Sequence, residues 1–119
     1  MDDRNPLQNK WPEAMTAEQR ERLFSRIGQV FKNAIDARAP RNRPPGKAGL
    51  RAEKGYYRLL YLEDHFRRRV DRSEPAAADE PICDWRHMND ILHQLADIPE
   101  LQSEIMAGVE SALDEVASV

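Results

Sequence analysis

Apolar residues in this chain recur every three or four positions in four separate stretches, and nowhere do they alternate at every second position. A half-buried β-strand needs that alternation. Spacings of three and four stack side chains on one face of an α-helix. The pattern therefore restricts the chain to helices, and prolines mark where each helix can begin or end.

The first stretch opens at Thr16, whose hydroxyl can accept from the amide three residues on while Gln19 reaches back, a capping box. Leu23, Phe24, Ile27, Val30, Phe31, Ala34 and Ile35 follow on one face, which predicts a helix over about 16–37 that Pro40 stops. Arg41 to Gly49 (RNRPPGKAG) reads as a basic linker, because Pro44-Pro45 forbids helix. A second helix is expected over about 50–70, with Ala52, Leu59, Leu62, Phe66 and Val70 inward and Tyr56 and Leu60 at the margin. Arg72 to Pro81 is a polar second linker. The third helix, about 84–96, starts at Asp84 and holds Trp85, Met88, Ile91, Leu92 and Leu95. Asp97-Ile98-Pro99-Glu100 makes a corner with Asp97 as N-cap, and the fourth helix runs over about 98–117. The expected fold is all-α, an irregular four-helix bundle with a Pro-rich basic linker between helices one and two. One domain, 16–119, follows an irregular arm, 1–15, anchored by Leu7, Trp11 and Met15.

Helices of about twenty residues span ~30 Å, and three Phe and two Trp make a thin core for four of them. Sharing a stripe across a two-fold axis repairs that, so a homodimer is expected. Cover by the arm through Trp11 is the alternative.

Charge is sorted along the chain. Residues 38–72 carry eleven Lys/Arg against four Asp/Glu, a net of +7, while residues 73–119 carry Arg86 against eleven carboxylates, a net of −10. Opposed blocks of this kind steer and select partners. On the predicted second helix Lys54, Tyr57, Arg58, Tyr61, His65, Arg68 and Arg69 stand in one row, each three or four residues from another. Tyr57, Arg58, Tyr61, His65, Arg68 and Arg69 are the candidate partner-binding residues, since Tyr and Arg dominate protein hot spots. A solvated face paired internally with the acidic fourth helix is the second expectation. A phosphate-binding surface is the third, with Arg38, Arg41, Arg43, Lys47 and Arg51 extending the charge and Tyr rings stacking on bases. The acidic pI of about 5.6 weighs against nucleic acid. Glu104, Glu110, Asp114 and Glu115 exclude the fourth helix as a DNA recognition helix.

No catalytic signature is visible. Gly46-Lys47 resembles part of a phosphate loop, but Arg41 and Ala48 stand where glycine and Ser/Thr are required. Cys83, His87 and Asp90 share a helical face and His93 points elsewhere, so no metal is expected, and His87 reads as a polar-face residue. Cys83 with His87 lacks a Gly-rich oxyanion loop, and Glu63 reads as a boundary residue paired with Arg67. A single cysteine excludes an internal disulfide. No run approaches the ~18 apolar residues of a membrane span, and the start lacks a signal-peptide pattern. The expectation is a small, cytoplasmic, non-enzymatic regulator without cofactor that binds a protein partner, in concrete form an anti-activator or adaptor blocking a transcription factor. The alternative is a nucleic-acid-binding accessory protein using residues 38–72.

Overall fold

The computed structural model describes residues 6–72 and 85–117. Among these the protein is all-α: α1 (Pro6–Lys10), α2 (Ala17–Ala37), α3 (Lys47–Arg72), α4 (Trp85–His93) and α5 (Pro99–Ala117), with a single 3₁₀ turn at Pro40–Asn42. The predicted second linker beyond Arg72, the Asp84 cap and Cys83 lie outside the described residues.

Helix α2 is the hub, packing broadly against α3 on one side and α5 on the other. Its start follows the predicted capping box: the Gln19 amide donates to Thr16 Oγ1 at 3.0 Å, and the Thr16 amide to Gln19 Oε1 at 2.9 Å. Leu23, Phe24, Ile27, Phe31 and Ala34 are its buried face. Phe66 of α3 meets Phe24 edge-on, ring centroids 6.0 Å apart, and Phe31 at 5.6 Å. Where α5 crosses α2, a Cβ on Gly108 would stand 2.5 Å from a Val30 methyl. Glycine is what lets the two backbones approach.

The structure differs from the sequence-based expectation in four places. The arm is not wholly irregular. Residues 6–10 form α1, which packs on α4 and α5, with Leu7 fully buried and Trp11 and Met15 against the core. Five residues are too few for an apolar period, so only the anchors showed. These three side chains thicken the core from within the chain, the role the sequence assigns to a second copy.

Helix α3 begins three residues early, at Lys47. Gly46, at φ +76°, turns the chain, and its carbonyl accepts from the Gly49 and Leu50 amides. A Cβ on Gly49 would lie 2.1 Å from the Pro44 carbonyl oxygen, so this glycine admits the Pro44–Pro45 strap over the first turn.

At the corner, α4 ends at His93, and residues 94–97 form tight turns in which the Ile98 amide donates to Leu95 O. Gln102 Nε2 donates to the Leu92 carbonyl at 2.8 Å and Arg58 to the Gln94 carbonyl, so side chains satisfy groups freed at the helix end. The Ile98 carbonyl, one residue later than the expected cap at Asp97, accepts the first amides of α5.

His87 is the fourth difference. It is buried, at 6% exposure, because His65 of α3 covers it with ring centroids 5.1 Å apart. The period correctly finds the core face of α4 but cannot reveal that another helix crosses its opposite side.

Candidate protein-interaction face

Helix α3 is amphipathic with a second, outward apolar stripe. Leu59, Leu62 and Phe66 are buried on its inner side, and Gly55 is buried where Arg38 and Leu101 press against it. On the outer side Leu50, Tyr57 and Tyr61 are 67, 60 and 63% exposed, and Leu60 is 39% exposed. At about 100° per residue these four fall within an arc of about 100° and span roughly three turns. Tyr61 and His65 stack in parallel, 2° apart in plane with centroids 6.3 Å apart. Since His65 also lies against buried His87, the Tyr61 ring is braced through His65 onto α4.

The cations around this stripe are tied to carboxylates. Lys54 Nζ lies 2.9 Å from Asp97, and Arg58 approaches the same carboxylate in bidentate fashion at 2.8 and 3.2 Å. One turn upstream Arg51 grips both oxygens of Glu100, with its Nη2 at 2.8 Å from Oε2. The Arg58 and Lys54 hydrogen bonds hold the Asp97 carboxyl far below the ordinary carboxylate range. Arg51, helped by the Glu100 amide, lowers Glu100 to about 2. The acidic block thus folds against the basic block as an ionic clasp between α3 and the α4–α5 corner. Toward the C-terminus Arg67 and Arg68 converge on Asp64 at 2.9 and 3.0 Å. Arg67 was expected to pair with Glu63; its hydrogen bond goes to Asp64, while Glu63 attracts it through space and both line a neighbouring groove.

Of the candidate partner-binding residues, Tyr57, Tyr61 and His65 come together on the open face, Arg58 is drawn into the clasp, Arg68 sits at the stripe's far end, and Arg69 is exposed further round. The candidate phosphate-binding residues are scattered. Arg38, 16% exposed, donates to the Ala34 carbonyl and to Glu104 at 3.1 Å. Arg41 pairs with Asp36. Arg43 donates to the Arg38 carbonyl at 3.0 Å and lies 5.0 Å over the Tyr56 ring. Arg51 belongs to the clasp, and Lys47 stands exposed on the first turn of α3. The acidic fourth predicted helix, α5, is paired elsewhere as well: Lys10 meets Glu110 at 3.4 Å and Asp114 at 3.3 Å, and Arg26 meets Glu115 at 2.8 Å.

Sequence reasoning missed Leu50 and Leu60 as parts of the open face. The signal was present: Leu50 lies seven residues before Tyr57, and Leu60 three after, both spacings that share a helical side.

A groove of about 720 Å³ lies between α2 and the C-terminal half of α3. Phe24, Gly28, Phe66 and Val70 line it, with Arg20, Lys32, Arg67, Glu21, Glu63 and Asp71 around them. Charges of both signs alternate along its walls, which selects for neither an anion nor a cation. Among the described residues no three His, Cys, Asp or Glu side chains gather where a metal could bind, and no helix is long and apolar enough to cross a membrane. Compared with known proteins, the chain matches no family model, no curated protein and no solved structure.

Proposed function

We propose that the protein is a small non-catalytic regulator that binds another protein through the outer face of α3. The observation that carries this reading is the exposed Leu50–Tyr57–Leu60–Tyr61 stripe. Monomeric proteins seldom expose a contiguous apolar patch of this kind without using it, and aromatic residues on a rigid helix lose few rotors when covered. The clasp supports the same reading. It ties Arg51 to Glu100 of α5 and Lys54 and Arg58 to Asp97 of the corner, so a partner meets a basic edge that is largely held in place. In this reading regulation works by occlusion: a partner such as a transcription factor has its own working surface covered by α3, which makes the protein an anti-activator or adaptor.

The internal pairing of Arg38, Arg41, Arg43 and Arg51 leaves fewer cations for a phosphate backbone and favours protein over nucleic acid. The test is affinity capture from the native host with and without nuclease, comparing the natural protein with Tyr57→Ala/Tyr61→Ala. One protein recovered regardless of nuclease and lost with the double variant is the expected result. Loss of all recovered material on nuclease treatment would instead establish the nucleic-acid reading.

A further inference from the structure

The chemistry around the α3 stripe narrows what can cover it, and this step rests on the protein-binding reading above. Six cations border or cross the stripe: Lys47, Arg51, Lys54, Arg58, Arg67 and Arg68. Among the described residues Asp64, Asp97 and Glu100 form the ion pairs with them, and Glu63 and Asp71 also act on Arg67 through space. The cations on one long edge follow the spacing 47, 51, 54, 58, so they repeat with the helix and run parallel to the apolar groups. Glu53, which falls within the arc of the stripe one turn before Tyr57, is engaged with Arg43.

We infer that this face takes an acidic amphipathic helix from a partner protein, laid along α3. Its apolar side chains, at three- and four-residue spacing over three to four turns, would sit on Leu50, Tyr57, Leu60 and Tyr61. Its Asp and Glu residues would line the edge formed by Lys47, Arg51, Lys54 and Arg58, where four cations stand against the two carboxylates Asp97 and Glu100. A basic or neutral helix would leave that excess unanswered. Single-stranded nucleic acid fits less well. Leu50 and Leu60 offer no ring for base stacking. A second copy fits poorly too, because pairing α3 with α3 sets the same excess of positive charge against itself.

The experiment is selection from a random library of displayed helical peptides of about 18 residues on the full-length protein. Isothermal titration and amide shift mapping with the enriched peptides follow. Enriched sequences should combine Leu, Ile or Phe at i, i+3 or i+4 and i+7 with Asp and Glu between them. Their shift changes should centre on residues 50–61. Affinity should fall at least tenfold in Tyr57→Ala/Tyr61→Ala and severalfold in Lys47→Glu. Leu50→Ser is a second variant of the stripe, and circular dichroism checks that each fold is kept. Enrichment of basic or extended peptides, equal binding by the double variant, or no enrichment at all would overturn the inference. So would a dimer in sedimentation that the double variant dissolves, or displacement of the peptides by oligo-dT with a steep salt dependence. If host capture still depends on Tyr57 and Tyr61 while the acidic peptides fail, the protein-binding reading stands and only the acidic helix is wrong.

Discussion

Helices α3 and α5 are the two most strongly charged long helices, and they treat their apolar residues in opposite ways. Every Leu, Ile and Val of α5 is buried, and its carboxylates face outward. Helix α3 buries Leu59, Leu62 and Phe66 but leaves Leu50, Leu60, Tyr57 and Tyr61 outside. On α5 burial and folding are the same event. On α3 the inner face docks the helix, and the outer apolar groups stay largely open to solvent. Apolar surface retained without a folding role is where binding is to be sought.

The sharpest way to break this comparison is a core truncation on α5. Ile105 is fully buried in the main cluster. Ile105→Ala should lose about 2–5 kcal/mol, the transfer and cavity terms for a large aliphatic side chain. Leu7→Ala should fall in the same range, because Leu7 is equally buried although it comes from a five-residue helix. Chemical denaturation followed by circular dichroism measures both. A loss under about 1 kcal/mol at Leu7 would mean that the arm does not belong to the core.

The next effect separates two glycines on the hub contacts. Gly108→Ala drives a methyl into Val30 and should cost about 1–3 kcal/mol through overpacking. Gly28→Ala meets open space on α2 and should stabilise by up to about 1 kcal/mol through helix propensity. If both variants changed stability with the same sign, the close α2–α5 crossing would be wrong.

These contrasts also show what the sequence reveals. The all-α class, the Thr16 capping box and the inward residues of α2 and α5 are legible because each is a local pattern, a cap or a period. Leu7 is not, because a one-turn helix carries no period and its burial depends on α4 and α5 arriving from residues far along the chain. His87 misleads for a related reason: its own helix marks it polar, and among the described residues His65 of α3 lies against its ring. The clasp is half legible. Sorted charge announces that the basic and acidic blocks can pair, but choosing Asp97 and Glu100 over Asp114 requires knowing that α3 runs past the α4–α5 corner. The outer stripe lies within reach of sequence spacing, yet spacing alone does not say which of two apolar margins faces water.

Acid should loosen α3 from the corner. Asp97 and Glu100 are depressed in the folded protein by Arg58, Lys54 and Arg51, Glu100 from its ordinary 4.5 to about 2. A carboxylate lowered on folding stabilises above its ordinary range, and that contribution drains away as pH falls through the folded value. The Glu100 contribution is therefore whole above about pH 5 and lost progressively between about pH 4.5 and pH 2, whereas Asp97, held lower still, gives up its share only in more acid solution. Both carboxylates are solvent-accessible, so salt screening should shrink the effect. Denaturation midpoints over that window, for the natural protein and Asp97→Asn/Glu100→Gln, should converge as pH falls. A constant gap down to pH 2 would show that the loss comes from other carboxylates.

The smallest expected effect is the most discriminating for function. Tyr57→Ser and Tyr61→Ser remove two large rings from the surface of α3, where each is more than half exposed. Serine is a somewhat poorer helix former than alanine but close to tyrosine, so propensity barely changes. Among the described residues the Tyr61–His65 stack is the ring contact at stake for Tyr61, and exposed contacts of this sort add little. Each variant should stay within about 0.5 kcal/mol of the natural protein in stability while partner binding weakens by about 1–3 kcal/mol. Should Tyr61→Ser instead destabilise as much as Gly108→Ala, its ring would be a structural brace acting through His65 onto His87. The outer face of α3 would then belong to the fold after all, and the contrast with α5 would vanish.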